Sequence, residues 1–209
     1  MKLRSDSFSD GDFIPTRYAL GERSAEGKID LAENKNPHLA WSDIPEETKS
    51  IAILFIDMDA PTKPDDVNKE DRVVPSNLPR ADFAHWVLVD LVPNSSIEEG
   101  AFSDGVTAHG KEGPDGPQGT RRGINDYTGW FAADPDMKGD YYGYDGPCPP
   151  FNDSIVHRYR FTVYALDIDS VPIEGRFTSQ DLIAAIEGHV LAEASIGCKY
   201  KINPDAKEL

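Results

Sequence analysis

Three short runs constrain the fold more than anything else in the chain: Ser50–Met58 (SIAILFIDM), Phe83–Leu91 (FAHWVLVDL) and Arg158–Leu166 (RYRFTVYAL). Each is rich in β-branched and aromatic residues and bounded by turn formers, the pattern of a strand. Successive side chains of a strand point to opposite faces. On that period Ile51, Ile53, Phe55, Asp57 and Asp59 share one face, and Ala52, Leu54, Ile56 and Met58 the other. His85 falls in line with Val87, Val89 and Leu91, and His157 and Tyr159 with Phe161, Val163 and Ala165. Each run therefore passes from an apolar face to a polar end. If those ends meet, they make a concave polar site on a rigid frame.

Weaker strands are expected at Ile29–Leu31, Leu39–Trp41 and Ser195–Ile202. One helix is expected to start near Thr178–Ser179, where Thr178 and Asp181 have capping-box spacing. Leu182, Ile183, Ile186, Val190 and Leu191 then recur at helical spacing. Two stretches break the pattern. Residues 62–82 carry Pro64, Pro75 and Pro79 among nine charged residues, and residues 105–146 hold 10 of the 17 glycines. Both read as long loops, either a shaped rim beside the site or tolerated surface insertions. There is no internal repeat. The 209 residues suit a single domain, 1–209, because domains commonly run ~100–200 residues.

The charge balance narrows the partners. With 21 basic and 37 acidic residues the net charge is −16. Such a field repels nucleic-acid backbones and anionic lipid surfaces, so neither nucleic-acid binding nor stable membrane insertion is expected. One local anion site remains compatible with it, since distant charges are screened. Cys148 and Cys198 make no disulfide framework, no apolar run of ~18 residues occurs, and the start lacks a signal-peptide pattern. A cytoplasmic protein is the expectation. Asn94-Ser95-Ser96 and Asn152-Asp153-Ser154 match a glycosylation pattern, which this setting makes a chance match.

The residues alone leave the chemistry open. Asp57-x-Asp59 is a turn or a ligand pair, and His85 a packing residue or a site residue. Metal, anion site and plain structure all remain. The wording and order of the segments add more. Asp57-Met58-Asp59-Ala60-Pro61 resembles the Asp-Pro-Asp-Ala-Pro motif of phosphatidylethanolamine-binding proteins, with Met58 in place of a proline. Ala84-His85-Trp86-Val87-Leu88-Val89 is similar to that family's central histidine strand. Gly146-Pro147-Cys148-Pro149-Pro150 with His157-Arg158-Tyr159 resembles its Gly-Pro-Pro…His-Arg-Tyr signature. Pro37–Trp41, Gly123–Tyr127 and Glu187–Ala192 resemble further stretches, the last two of the prokaryotic Raf-kinase-inhibitor-like branch. The resemblance spans about residues 37–202, with insertions at 62–82 and 105–146.

The resemblance implies a mainly β fold, two antiparallel sheets packed face to face, with one or two C-terminal helices and long loops. It implies a pocket for phosphate, phospholipid head groups or similar small anions, lined at matched positions by Asp57, Asp59, His85, Gly146, Pro150, His157 and Tyr159. No cofactor and no metal are implied, and no catalytic residue. His85 and His157 would donate to the anion, with Asp57 orienting a histidine. The expected role is a binding module, not an enzyme, that regulates a kinase or another protein partner; a homodimer is also allowed. An enzyme with His85 and Asp57 as general base is the alternative, though no Gly-x-Ser-x-Gly nucleophile motif occurs. A serine-protease inhibitor, with 105–146 as its insert, is a third reading. Cys148, inside the pocket turn, is either a reactive thiol beside a cationic histidine or a packing residue.

Overall fold

The computed structural model describes residues 1–93 and 96–209; Asn94 and Ser95, and with them the first glycosylation-type pattern, lie outside the described residues. Among the described residues ten strands form: β1 (Lys2–Arg4), β2 (Gly21–Arg23), β3 (Ile29–Leu31), β4 (Leu39–Ser42), β5 (Ser50–Pro61), β6 (Arg80–Leu91), β7 (Ser96–Ile97), β8 (Arg121–Arg122), β9 (His157–Leu166) and β10 (Val190–Tyr200). The main sheet has the order β10-β9-β5-β6-β8 and is antiparallel throughout. A second sheet, β1-β4-β7, is also antiparallel, and β2 and β3 pair as a hairpin.

β5 is central because both of its faces are apolar. Ile51, Ile53 and Phe55 enter the core between the two sheets, with Trp41, Trp86 and Phe161. Ala52, Leu54 and Ile56 face the other way, onto Phe177, Leu182 and Ile186. Burying each such large side chain contributes about 1.5–3 kcal/mol, so this strand anchors both layers. Phe55 and Phe161 are cross-strand partners, stacked 3.8 Å apart.

The expected helix is present as α2 (Ser179–Ala185), after a short α1 (Tyr127–Trp130). Both halves of the Thr178/Asp181 capping box are made. It is shorter than its apolar spacing suggests. Gly188, at φ +81°, turns the chain, and Val190 and Leu191 open β10 as partly exposed strand residues. The final strand therefore starts five residues earlier than the expected Ser195.

β6 differs from its simple period. Phe55 pairs with Trp86 but Ile56 pairs with Ala84, so His85 is the extra residue of a bulge. A bulge re-aims side chains. Val87 and Val89 face α2, while His85 turns toward Phe55 and Tyr159, opposite to the alternation expected from the sequence.

Candidate functional site: a cavity closed by two histidines

The polar ends of β5, β6 and β9 do meet. Asp57, His85 and His157 line the base of one cavity of ≈ 200 Å³, with Pro150 beside them. All three ionisable side chains are buried.

His157 is held between two carboxylates. Its Nδ1 donates to Asp57 Oδ2 at 2.7 Å and its Nε2 to Asp153 Oδ2 at 3.0 Å. Burial favours the neutral ring, but Asp57 and Asp153 outweigh it and hold the imidazole pKa at about 9. Asp153 in turn takes Arg80 through both oxygens, at 2.6 and 3.0 Å. Burial opposes its ionised form; His157 and Arg80 overcome that and hold its pKa below the usual carboxylate value. Two acids face two bases along this line. Both N–H groups of His157 are already used, so it is not the free donor expected from the sequence.

His85 differs. Its Nδ1 donates to the Asp145 carbonyl at 2.8 Å, and no described protein atom hydrogen-bonds its Nε2. Burial lowers its pKa despite the charge of Asp57, so the ring is neutral at pH 7. The neutral tautomer then offers a lone pair at Nε2. Rings of Phe55, Phe83, Tyr127 and Tyr159 surround it at 5.1–5.5 Å.

The other expected site residues fall elsewhere. Asp59 lies outside the cavity, gripped by Arg158 through three hydrogen bonds of 2.8 Å. Asp57 Oδ1 accepts from Asp59 N at 2.7 Å, and the β5–β6 register slips between Asp57 and Ala60. That local bond turns the strand where Met58 stands, which sends the two acids apart. Gly146 is buried structure: a Cβ there would stand 2.0 Å from the Tyr18 carbonyl oxygen. Tyr159 lies beneath the floor, its hydroxyl near Asp57 but without an ordinary hydrogen bond among the described residues.

The walls come partly from expected strands and partly from the two long loops. Phe83 enters from β6, Leu20, Ile29 and Leu31 from the β2–β3 region, and Val67 from the loop after β5. Tyr127, Trp130, Phe131 and Met137 come from the 105–146 segment. Both long loops therefore line the cavity. Asn152 ties down the first, its amide donating to the carbonyls of Asp66, Lys69 and Arg72. Buried in this role, Asn152 is no glycan acceptor. Lys111 ties down the second, 3.0 Å from buried Asp145, which also takes Asn34 and Asn125. Cys148 also lines the cavity, and burial alone pushes its thiol up to about 12, which fits packing and not reactivity. Among the described residues no cluster of histidine, cysteine and carboxylates is arranged to hold a metal.

A family model described as phosphatidylethanolamine-binding protein matches residues 4–201. The chain belongs to the phosphatidylethanolamine-binding protein family. The match begins well before Pro37, where the expected resemblance started. Among curated relatives, a UPF0098 protein of Methanothermobacter thermautotrophicus is 32% identical, over 96% of this chain and 99% of its own. The UPF0098 protein YbhB of Escherichia coli is 31% identical at the same coverage. The crystal structure of a family homologue from Chlamydia trachomatis aligns with TM-score 0.62 at 27% identity, covering 96% of both chains. Escherichia coli YbcL, described as a new member of the mammalian family of these proteins, aligns with TM-score 0.66 at 24% identity, covering 97% of this chain and 98% of its own, and speaks to the fold. Within the described residues of this family member no helix is long and apolar enough to cross a membrane.

Proposed function

We propose that this family member is a binding protein for a small ligand with a phosphoryl-type head, seated at Asp57, His85 and His157. The observation that carries the reading is a mostly apolar cavity lined also by Asp57, His85 and His157, in which His85 Nε2 has no hydrogen-bond partner among the described residues. The carboxylates do not forbid an anion, because Asp57 and Asp153 are matched by His157 and Arg80. A donor is still required. A phosphomonoester, whose second pKa is about 6, brings its own proton, or His85 takes one as the anion enters.

Binding without turnover is part of the proposal, since Cys148 and Tyr127 are pushed above their usual pKa by burial and so are poor nucleophiles. A cytoplasmic setting is supported by two free thiols, Cys148 and Cys198. A protein partner, of the kinase-regulating kind the family resemblance suggests, would read the occupied rim, where Leu31 and Trp130 are exposed.

Calorimetric titration of phosphate at pH 7.5 and pH 6.0 tests the head. Affinity should rise at the lower pH, and His85→Gln should reduce it about tenfold, the loss of one hydrogen bond to a charged group. Affinity equal at both pH values, or undisturbed in His85→Gln, removes the assignment. Phosphate release from p-nitrophenyl phosphate would favour His85 as a general base over simple binding.

A further inference from the structure

β10 is an edge strand of the main sheet, and its open side is covered only in part. At one end the N-terminal segment runs alongside it. Gly197 donates to Asp10 Oδ1 at 2.7 Å and accepts from Gly11 N at 2.9 Å. Lys199 donates to the Asp12 carbonyl at 2.9 Å and accepts from Ile14 N at 3.0 Å. Alternate residues of an antiparallel strand turn their N–H and C=O to the same side. The pairing of β10 with β9 stays in register from Ala192 to Tyr200, so Glu193 and Ser195 present theirs outward as Gly197 and Lys199 do. No hydrogen bond among the described residues reaches those four groups. Both residues are exposed, and Val190 and Leu191, just before them, are each 39% exposed. An uncovered row of strand groups beside exposed apolar side chains is a template for one more strand.

The charges select what that strand is. Glu193 stands in the open stretch, and Asp10 closes it at Gly197; with Asp12 they are exposed acids that form no ion pair among the described residues. Of the cations on β9 and β10, Arg158 holds Asp59, Lys199 holds Glu208, and Arg160 lies on the inner strand opposite Gly197. A second copy is disfavoured. Two-fold pairing of the open stretch about Glu193 sets that side chain against its own equivalent, between chains of net charge −16. We propose that the open stretch of β10, Leu191–Ser195, docks an extended basic segment of a partner protein. The partner's backbone continues the sheet, and its lysine or arginine side chains meet Glu193 and Asp10. This stretch lies at the Leu166 end of the β9–β10 pair, whereas His157 pairs with Tyr200 at the other, so the docking does not rest on the function proposed for the cavity.

Fluorescence anisotropy with a labelled octapeptide of alternating lysine and valine tests this, with alternating glutamate and valine as the control. The lysine peptide should bind, more weakly as salt rises, and the glutamate peptide should not. Glu193→Lys should weaken binding at least about tenfold, since like charges then face each other. Ser195→Pro removes an N–H that points to solvent, a change that edge strands accept, and should weaken binding about fivefold where Ser195→Ala does not. No binding of the lysine peptide, equal binding of both peptides, or wild-type affinity in both Glu193→Lys and Ser195→Pro overturns the proposal. Displacement of the lysine peptide by saturating phosphate would put the peptide at the cavity, which overturns the edge and leaves the phosphoryl reading intact. Sedimentation of the wild type as a dimer that Ser195→Pro abolishes would give the edge to a second copy instead.

Discussion

Around His157 the floor of the cavity is closed on itself, whereas around His85 it is open. Both rings are almost completely buried, at 1% and 2% exposure. His157 sits between Asp57 and Asp153 and is held charged; His85 sits among four aromatic rings and is held neutral. The contrast shows that burial alone does not decide a histidine's state. Desolvation opposes charge at both positions, and it loses only where two carboxylates touch the ring. One histidine builds the frame, and the other keeps a free nitrogen for a ligand.

The largest effect should follow from breaking the closed side. Asp153→Ala leaves His157 with one carboxylate and Arg80 without its partner. Removing one member of a buried ion pair typically costs ~3–5 kcal/mol, and chemical denaturation at pH 7 should show a loss of that order. A loss below about 1 kcal/mol would mean that the His157 line does not frame the site.

The pH dependence of stability should differ in sign between the two histidines. The pKa of His157 is raised in the folded state, so its contribution is complete below the unfolded value of 6.5 and is lost as pH rises through about 9. The shift corresponds to roughly 3 kcal/mol at ~1.4 kcal/mol per pKa unit. Denaturation midpoints should fall between pH 6.5 and 9 in the wild type and much less in His157→Gln. The pKa of His85 is lowered, so it opposes folding as pH falls below 6.5, when the unfolded chain takes a proton the folded one resists. His85→Gln should flatten that acid limb and leave the alkaline one. A variant that changes both limbs equally would erase the distinction.

Much of the scaffold was legible in the sequence. The β5 alternation sorted its residues onto the two faces, both of which the fold buries, and the spacing of Thr178 and Asp181 predicted the start of α2. What escaped depends on contacts distant in the chain or on local irregularity. The bulge at His85 reverses a face, and nothing in FAHWVLVDL announces it. The bond from Asp59 N to Asp57 Oδ1 separates two acids that simple alternation puts together. Asp153 stands four residues before His157 and is legible only as part of a glycosylation-type pattern; its role comes from Arg80, 73 residues away. Tyr127, Trp130 and Phe131 lie in a segment whose glycines mark it as loop, and loop sequence does not reveal what its side chains cover.

Cys148 provides the finest test of the open side, because it lines the cavity. The thiol packs against Gly21, where a Cβ would stand 2.4 Å from Sγ. With its pKa pushed up to about 12 by burial, the thiolate fraction at neutral pH is about three-thousandfold below that of an ordinary cysteine of pKa ~8.5. Alkylation should therefore be slow without ligand, and a ligand seated in the cavity should slow it further. Cys198, buried in β10 opposite Tyr159, should stay slow throughout. Peptide mass mapping after timed labelling reads both thiols at once. If Cys148 reacts like a free thiol, the apolar surroundings assigned to it are wrong. If it is slow but unprotected by saturating phosphate, the ligand does not seat beside Cys148.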